Sequence, residues 1–218
     1  MKLPIQMDLT GKVAVVTGAG GVLCSVMAEA LAMCGAKVAL LDRNVEAAQA
    51  NADAIVAKGY IAKGYAANVL EKESLAAAHE AVLKDFGPCD ILVNGAGGNN
   101  PRATTDKEYF ELGDIDADTK SFFDLESAGV GFVFNLNFLG TLIPTQAFAK
   151  QMVGREGCNI LNISSMNAYT PLTKIPAFQT SFKRVYSNII RPKITASPVP
   201  NIGCKSYQFM VYYIVRII

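Results

Sequence analysis

The sequence is poor in the residues that build most metal and redox centres. It has 218 residues with no Trp, one His, and no Asp or Glu after Glu156. The single His79 sits among alanines and brings no second imidazole, so no metal site is expected. Five cysteines (Cys24, Cys34, Cys89, Cys158 and Cys204) are odd in number and scattered, which predicts reduced thiols in a cytoplasmic protein rather than a disulfide framework. No stretch is apolar without interruption over the roughly 20 residues of a bilayer span. The opening MKLPIQMDLTGK lacks the apolar core of a signal peptide, so no membrane partner is expected. Lys+Arg 20 against Asp+Glu 19 leaves a charge of +1, too little to drive nucleic-acid binding. A hydrophobic share of 51% excludes general disorder.

The missing acids divide the chain. Beyond Glu156 the charged residues are Lys174, Lys183, Arg184, Arg191, Lys193, Lys205 and Arg216, all basic. Tyr186, Tyr207, Tyr212 and Tyr213 also fall late. The balanced total averages two compositions.

What is present alternates. Lys12 to Thr17 is a β-branched run suited to a buried parallel strand, followed by the glycine turn Gly18-Ala19-Gly20-Gly21. Leu23, Val26, Met27, Ala30, Leu31 and Cys34 recur at helical spacing, and Gly35 suits a left-handed C-cap. Strands are predicted at 37–41, 60–67, 90–93 and 159–163. Helices are predicted after Asn44, over 71–86 and over 130–153. Residues 99–129 form a long polar segment of weak periodicity, of the kind that is usually functional. After Ala177 the pattern dissolves, with Pro192, Pro198 and Pro200 breaking any long helix, and 209–218 reads as one strand. Strands alternating with helices predict βαβ units: an α/β, doubly wound, Rossmann-like parallel sheet. The loss of pattern divides the chain into a core, 1–177, and an atypical tail, 178–218.

The glycine turn lets backbone approach a pyrophosphate while the next helix offers free N–H groups; a ligand-free tight turn is the plain alternative. Asp42 ends the second strand, where a carboxylate can accept both hydroxyls of an adenosine ribose and repel a 2′-phosphate, which favours NAD over NADP. Arg43 beside it could pair with that phosphate instead, and Asp42 could simply cap the next helix.

The ordered set Thr17-Gly18, Asp42, Asn68-Val69, Asn94-Gly95-Ala96-Gly97, Asn137-Phe138-Leu139-Gly140 and Asn162-Ile163-Ser164-Ser165 resembles the short-chain dehydrogenase/reductase family over residues 1–177. Residues 98–105 and 134–146 resemble its bacterial D-mannonate oxidoreductase (fructuronate reductase) branch. The resemblance implies an NAD(P)-dependent oxidoreductase that reduces a sugar-acid ketone to its alcohol, with a small-molecule substrate and a homo-oligomer. It implies that Thr17, Gly18, Gly20, Gly21 and Leu23 surround the pyrophosphate and that Asp42, with Arg43 beside it, meets the ribose. It places Asn68 and Val69 at the adenine, and Asn94, Gly95, Ala96 and Gly97 behind the nicotinamide ribose. Asn137 would support a water chain, and Ser165 would bond the substrate oxygen. Arg102 in the polar insert is a candidate carboxylate contact.

There are four departures from the family pattern. Val22 and Cys24 stand where the turn has Gly-x-Gly, Asn68 replaces an Asp, and Gly95 replaces an Asn. The fourth departure concerns the proton donor that hydride transfer requires. The family's Tyr-x-x-x-Lys would fall on Phe178 and Phe182, and Lys183 is one residue, or about 100° of helix, out of place. Neither Tyr169 nor Tyr186 has a Lys four residues on. The competing expectation is therefore a truncated or frameshifted, catalytically impaired relative that at most binds nucleotide, with an open sheet edge prone to aggregation.

Asp114-x-Asp116-x-Asp118 imitates a calcium loop but lacks its Gly and final Glu, and reads as a solvated acidic turn. Cys24, at a helix N-terminus, reads as a packing residue or a thiol of lowered pKa.

Overall fold

The computed structural model describes residues 7–168, 173–185 and 212–216. Strands β1 (Val13–Thr17), β2 (Lys37–Asp42), β3 (Ala62–Ala66), β4 (Ile91–Asn94) and β5 (Asn159–Ile163) run parallel in the order β3-β2-β1-β4-β5. Helices α1 (Val22–Met33), α2 (Val45–Val56) and α3 (Lys72–Phe86) make the crossovers. Alternate strand residues point to opposite faces and give each face its own core. Ala14, Val16, Val38, Leu40 and Val93 pack with Ala28, Ala48, Ala52 and Ile55. Val13, Val15, Leu41, Leu92 and Ile160 pack with Leu75, Val82, Phe148 and Met152. Burial on both faces explains why β1 and β2 read as continuous apolar runs.

The chain reverses its direction of travel across the sheet between β3 and β4. The carboxyl ends of β1 and β4 therefore open a crevice between diverging connections, where doubly wound sheets bind ligands. Asp90, just before β4, locks the opposite end. Its buried carboxylate accepts the Val13 N–H at 2.9 Å and an Arg155 N–H at 2.6 Å, while Arg155 also donates to the Cys89 carbonyl.

The long helix over 127–149 has three parts: α4 (Ser127–Phe134), a widened π turn (Asn135–Leu139) and α5 (Gly140–Ala149). Pro144 supplies no N–H to the turn before it, and the Thr141 and Thr145 hydroxyls donate back to the Asn137 and Thr141 carbonyls. The extra residue in the π turn aims the buried Asn137 inward; such turns recur at functional sites. By length and mean hydropathy these 23 residues could cross a membrane, although polar residues such as Asn135, Asn137 and Gln146 interrupt them, and 39% of their most apolar window is buried inside the fold.

The insert forms three short 3-10 turns, at Pro101–Ala103, Leu112–Ile115 and Phe122–Asp124. Asp114 is not solvated as expected: it is buried, accepts the Glu111 N–H and pairs with Lys107 at 2.5 Å, which holds its carboxyl below the usual range.

Two further expectations are corrected late in the chain. Helix α6 (Pro176–Val185) continues where the pattern was read as dissolving, and it runs across the boundary predicted at 177. Strand β6 (Tyr212–Arg216) pairs antiparallel with β5, Ile163 opposite Tyr212 and Asn159 opposite Arg216, so that edge is occupied rather than open. Tyr169 and Tyr186 lie outside the described residues.

Candidate active site

The turn after β1 is built for close approach. Gly18 has φ +72°, and a Cβ there would lie 2.9 Å from Ala96 Cα. The Thr17 hydroxyl, fully buried behind the turn, accepts the N–H groups of Gly95 (3.1 Å) and Ala96 (3.2 Å). It ties the two turns of the crevice together rather than facing a ligand. Asn51, on α2, donates to the carbonyls of Ala19 (2.9 Å) and Gly20 (3.2 Å) and fixes the turn from outside. Sequence reasoning missed Asn51; its only signal is an amide one turn from buried Ala48 on a helix otherwise rich in Ala. Helix α1 begins at Gly21 with no side-chain cap, which leaves its first-turn N–H groups for an anion.

Asp42 accepts the Gly20 N–H on Oδ2 (3.0 Å) and the Asn44 N–H on Oδ1 (2.9 Å). Each oxygen keeps lone-pair capacity, so the carboxylate can still accept from two ribose hydroxyls. It does not cap α2; Asn44 does, accepting the Ala47 N–H. Asn68 accepts the Leu70 N–H and donates to Glu71 at 2.7 Å, which leaves its second amide hydrogen for an adenine nitrogen.

One cleft of about 480 Å³ collects Gly18, Gly21, Asp42, Arg43, Asn68, Val69, Gly95, Ala96 and Gly97, and extends to Asn99. Phe132 and Leu136, which sequence reasoning did not single out, form its apolar wall. Three expected residues stand elsewhere. Thr17 is behind the turn. Leu23 is 58% exposed on α1 and outside the lining. Asn94 is buried and donates to Thr145 (2.9 Å) and Asn162 (2.8 Å), binding β4 to α5 and β5 instead of facing a ribose. Gly20 contributes through its bond to Asp42.

Two departures from the family pattern turn out to be complementary. A Cβ on Gly95 would run into Cys24 Sγ. The sulfur on α1 fills the volume that a larger residue at 95 would take, so loss of a glycine at 24 is offset by gain of one at 95. Burial, followed by the Asp42 charge, pushes the Cys24 thiol up to about 11, the reverse of an activated cysteine. Gly95→Asn alone is expected to lower stability by about 1–3 kcal/mol through overpacking, and Cys24→Gly added to it to recover most of that loss. Thermal melts of the two single variants and the double variant measure the coupling.

Ser165, just after β5, is half-buried, accepts the Asn167 N–H at 3.2 Å and is not among the residues lining the cleft. Asn137 is more committed than the resemblance implies. Its Oδ1 accepts the Gly98 N–H (2.9 Å), and its Nδ2 donates to the Gly98 carbonyl (3.0 Å) and to Ser181 Oγ (2.8 Å). Both amide hydrogens are used within the protein, so Asn137 clamps the cleft backbone to α6 rather than starting a water chain. Phe178 is half-buried against the cluster of Ala103, Val133 and Ala177. Arg102 pairs with Glu126 at 3.5 Å on the surface and lines no part of the cleft.

A doubly wound sheet with a glycine-lined crevice, an uncapped helix N-terminus and an acid ending β2 is the architecture on which dinucleotide-binding folds are built. The short-chain dehydrogenase profile matches residues 12–184, and the chain belongs to that family. It is similar to an uncharacterised oxidoreductase of Haemophilus influenzae, 54% identical over 178 residues, which are 82% of this chain and 62% of that protein. A solved structure from the same organism, of a proposed D-mannonate oxidoreductase with bound NAD, superposes with TM-score 0.79 at 54% identity, covering 81% of this chain and 63% of that one. A metagenomic short-chain oxidoreductase in complex with NADP superposes with TM-score 0.67 at 29% identity, covering 81% and 72%. The chain thus spans somewhat under two thirds of the first two proteins.

Proposed function

We propose that this chain binds NAD in the crevice between β1 and β4 and is built on the plan of an oxidoreductase for the ketone of a sugar acid, with hydride transfer impaired by the residues at 178 and 182. The observation that carries the cofactor reading is Asp42. Its carboxylate is held at the cleft by two backbone N–H groups and keeps two acceptor sites where a ribose diol would lie. Gly18 and Gly21 admit the pyrophosphate, and the exposed Arg43 leaves a weaker route for a 2′-phosphate. NAD supplies the hydride acceptor, or NADH the donor. The chain must supply position, exclusion of water and a proton. Ser165 can bond the substrate oxygen, but a phenyl ring at 178 has no ionisable hydrogen to give.

Support for a sugar-acid substrate comes from the polar insert and from the similarity to the Haemophilus protein solved with NAD. Titration with NADH and NADPH, followed by cofactor fluorescence, tests the cofactor reading. Saturable one-to-one binding of NADH, tighter than NADPH, is expected. Absence of saturable binding of either would overturn it.

A further inference from the structure

A second cavity, of about 530 Å³, adjoins the cofactor cleft. Asn99 lines both, so the two sites are neighbours. It is lined by Asn99, Asn100, Pro101, the hydroxyl-bearing Thr104 and Thr105, and two charged residues, Asp106 and Lys174. Side chains of this kind suit a small polyhydroxylated molecule, and the volume falls within the range of small-ligand sites.

Lys174 is the distinctive member. It is the one non-glycine among the described residues with a left-handed backbone, φ +72°. An L-residue rarely adopts that conformation without surrounding structure to hold it. The Thr105 N–H donates to the Lys174 carbonyl at 2.9 Å, which pins this backbone to the insert. The other cations nearby are committed. Lys107 pairs with Asp114 and Glu111, Lys120 donates to the Pro101 carbonyl at 2.8 Å, and Arg102 pairs with Glu126. Among the described residues Lys174 has no ion-pair partner. Asp106, the other charged group of the cavity, accepts the Lys120 N–H; its carboxylate favours ligand hydroxyls and disfavours an anion, whereas Lys174 favours one.

We propose that Lys174 is the carboxylate anchor of a polyhydroxylated acid bound in this cavity, and the residue that selects an acid over a neutral polyol. This takes the role that sequence reasoning gave to Arg102, and it rests on the reading of the adjoining cleft as the cofactor site. An ammonium facing a carboxylate makes a charge-assisted bond that a hydroxyl at the same place cannot match.

The test is calorimetric binding of D-gluconate and D-mannitol to the full chain, with and without saturating NADH. The variants are Lys174→Met, which keeps length without charge, and Lys174→Arg, which keeps charge. Gluconate is expected to bind the unmodified chain at least tenfold more tightly than mannitol. Lys174→Met should erase that preference, and Lys174→Arg should hold it within about threefold. NADH affinity and melting temperature should be the same in all three proteins. Gluconate affinity unchanged in Lys174→Met, or no preference for gluconate in the unmodified chain, overturns the proposal. Failure of NADH to bind would strike the cofactor reading instead, and the titrations without NADH would still decide the role of Lys174.

Discussion

A chain carrying both Phe178→Tyr and Phe182→Lys is expected to reduce fructuronate with NADH at least about 10²-fold faster than the unmodified chain, the lower end of what a positioned acid contributes. Helix α6 spans both positions, and residues four apart lie on one helical face. A Lys at 182 would therefore stand beside a phenol at 178 and favour its ionised form, bringing a group of ordinary pKa near 10 toward working pH. Either substitution alone should gain less than about tenfold. Tyr without Lys holds its proton too tightly, and Lys without Tyr has no acid to tune. In the alcohol-oxidising direction the double variant's rate should rise with pH and level off above the pKa of the phenol, since the ionised form is the base there. Initial rates across pH for the four proteins measure all of this. A double variant that binds NADH yet is no faster than the Phe182→Lys single would show that position 178 is not what limits the chemistry.

Asp42→Ala is expected to weaken NADH binding by about 10- to 100-fold. Two bonds from ribose hydroxyls to a carboxylate contribute about 1.5–3 kcal/mol each, reduced here because Asp42 is only half-buried, and tenfold in affinity is 1.4 kcal/mol. The same substitution removes the charge that opposes a 2′-phosphate and leaves Arg43 in place, so NADPH should bind more tightly than it does to the unmodified chain. Asp42 also holds the Gly20 N–H, so part of the loss comes through the turn itself. Opposite movements of the two cofactors separate ribose recognition from general damage, because a merely disordered turn would weaken both. Parallel titrations with NADH and NADPH make the measurement, and unchanged NADH affinity would remove Asp42 from the site.

The regular half of the fold is legible in the sequence because local chemistry and burial agree there. Strands β1 and β2 are buried on both faces and so are uniformly apolar, and glycine ends α1 and α3 where the helical rows of apolar residues end. Asp42, Asn68 and the glycine turn are legible as cleft residues because strand ends in such a sheet converge by topology. Contacts between distant residues are not. Gly95 looks like a defect until the sulfur of Cys24, 71 positions earlier, is seen beside it. Asn94 has the sequence neighbourhood of a cofactor residue but faces Thr145 and Asn162, a direction set by packing between β4, β5 and α5. Arg102 and Lys174 carry the same charge, and only the course of the insert decides that one turns to Glu126 and the other lines a cavity. The π turn at Asn137 goes with Pro144 and two threonine hydroxyls that bond carbonyls four residues earlier, a combination without a periodicity to read.

The central claim is that the cofactor cleft is intact and the proton donor is missing. A single-turnover experiment tests both parts in one sample: the NADH-loaded chain is mixed with excess fructuronate while NADH fluorescence and absorbance are followed together. The expected result is a full bound-NADH signal that persists, with absorbance decaying at the rate of a protein-free control. Rapid oxidation of one NADH per chain by the unmodified protein, or no bound NADH at the outset, would contradict it.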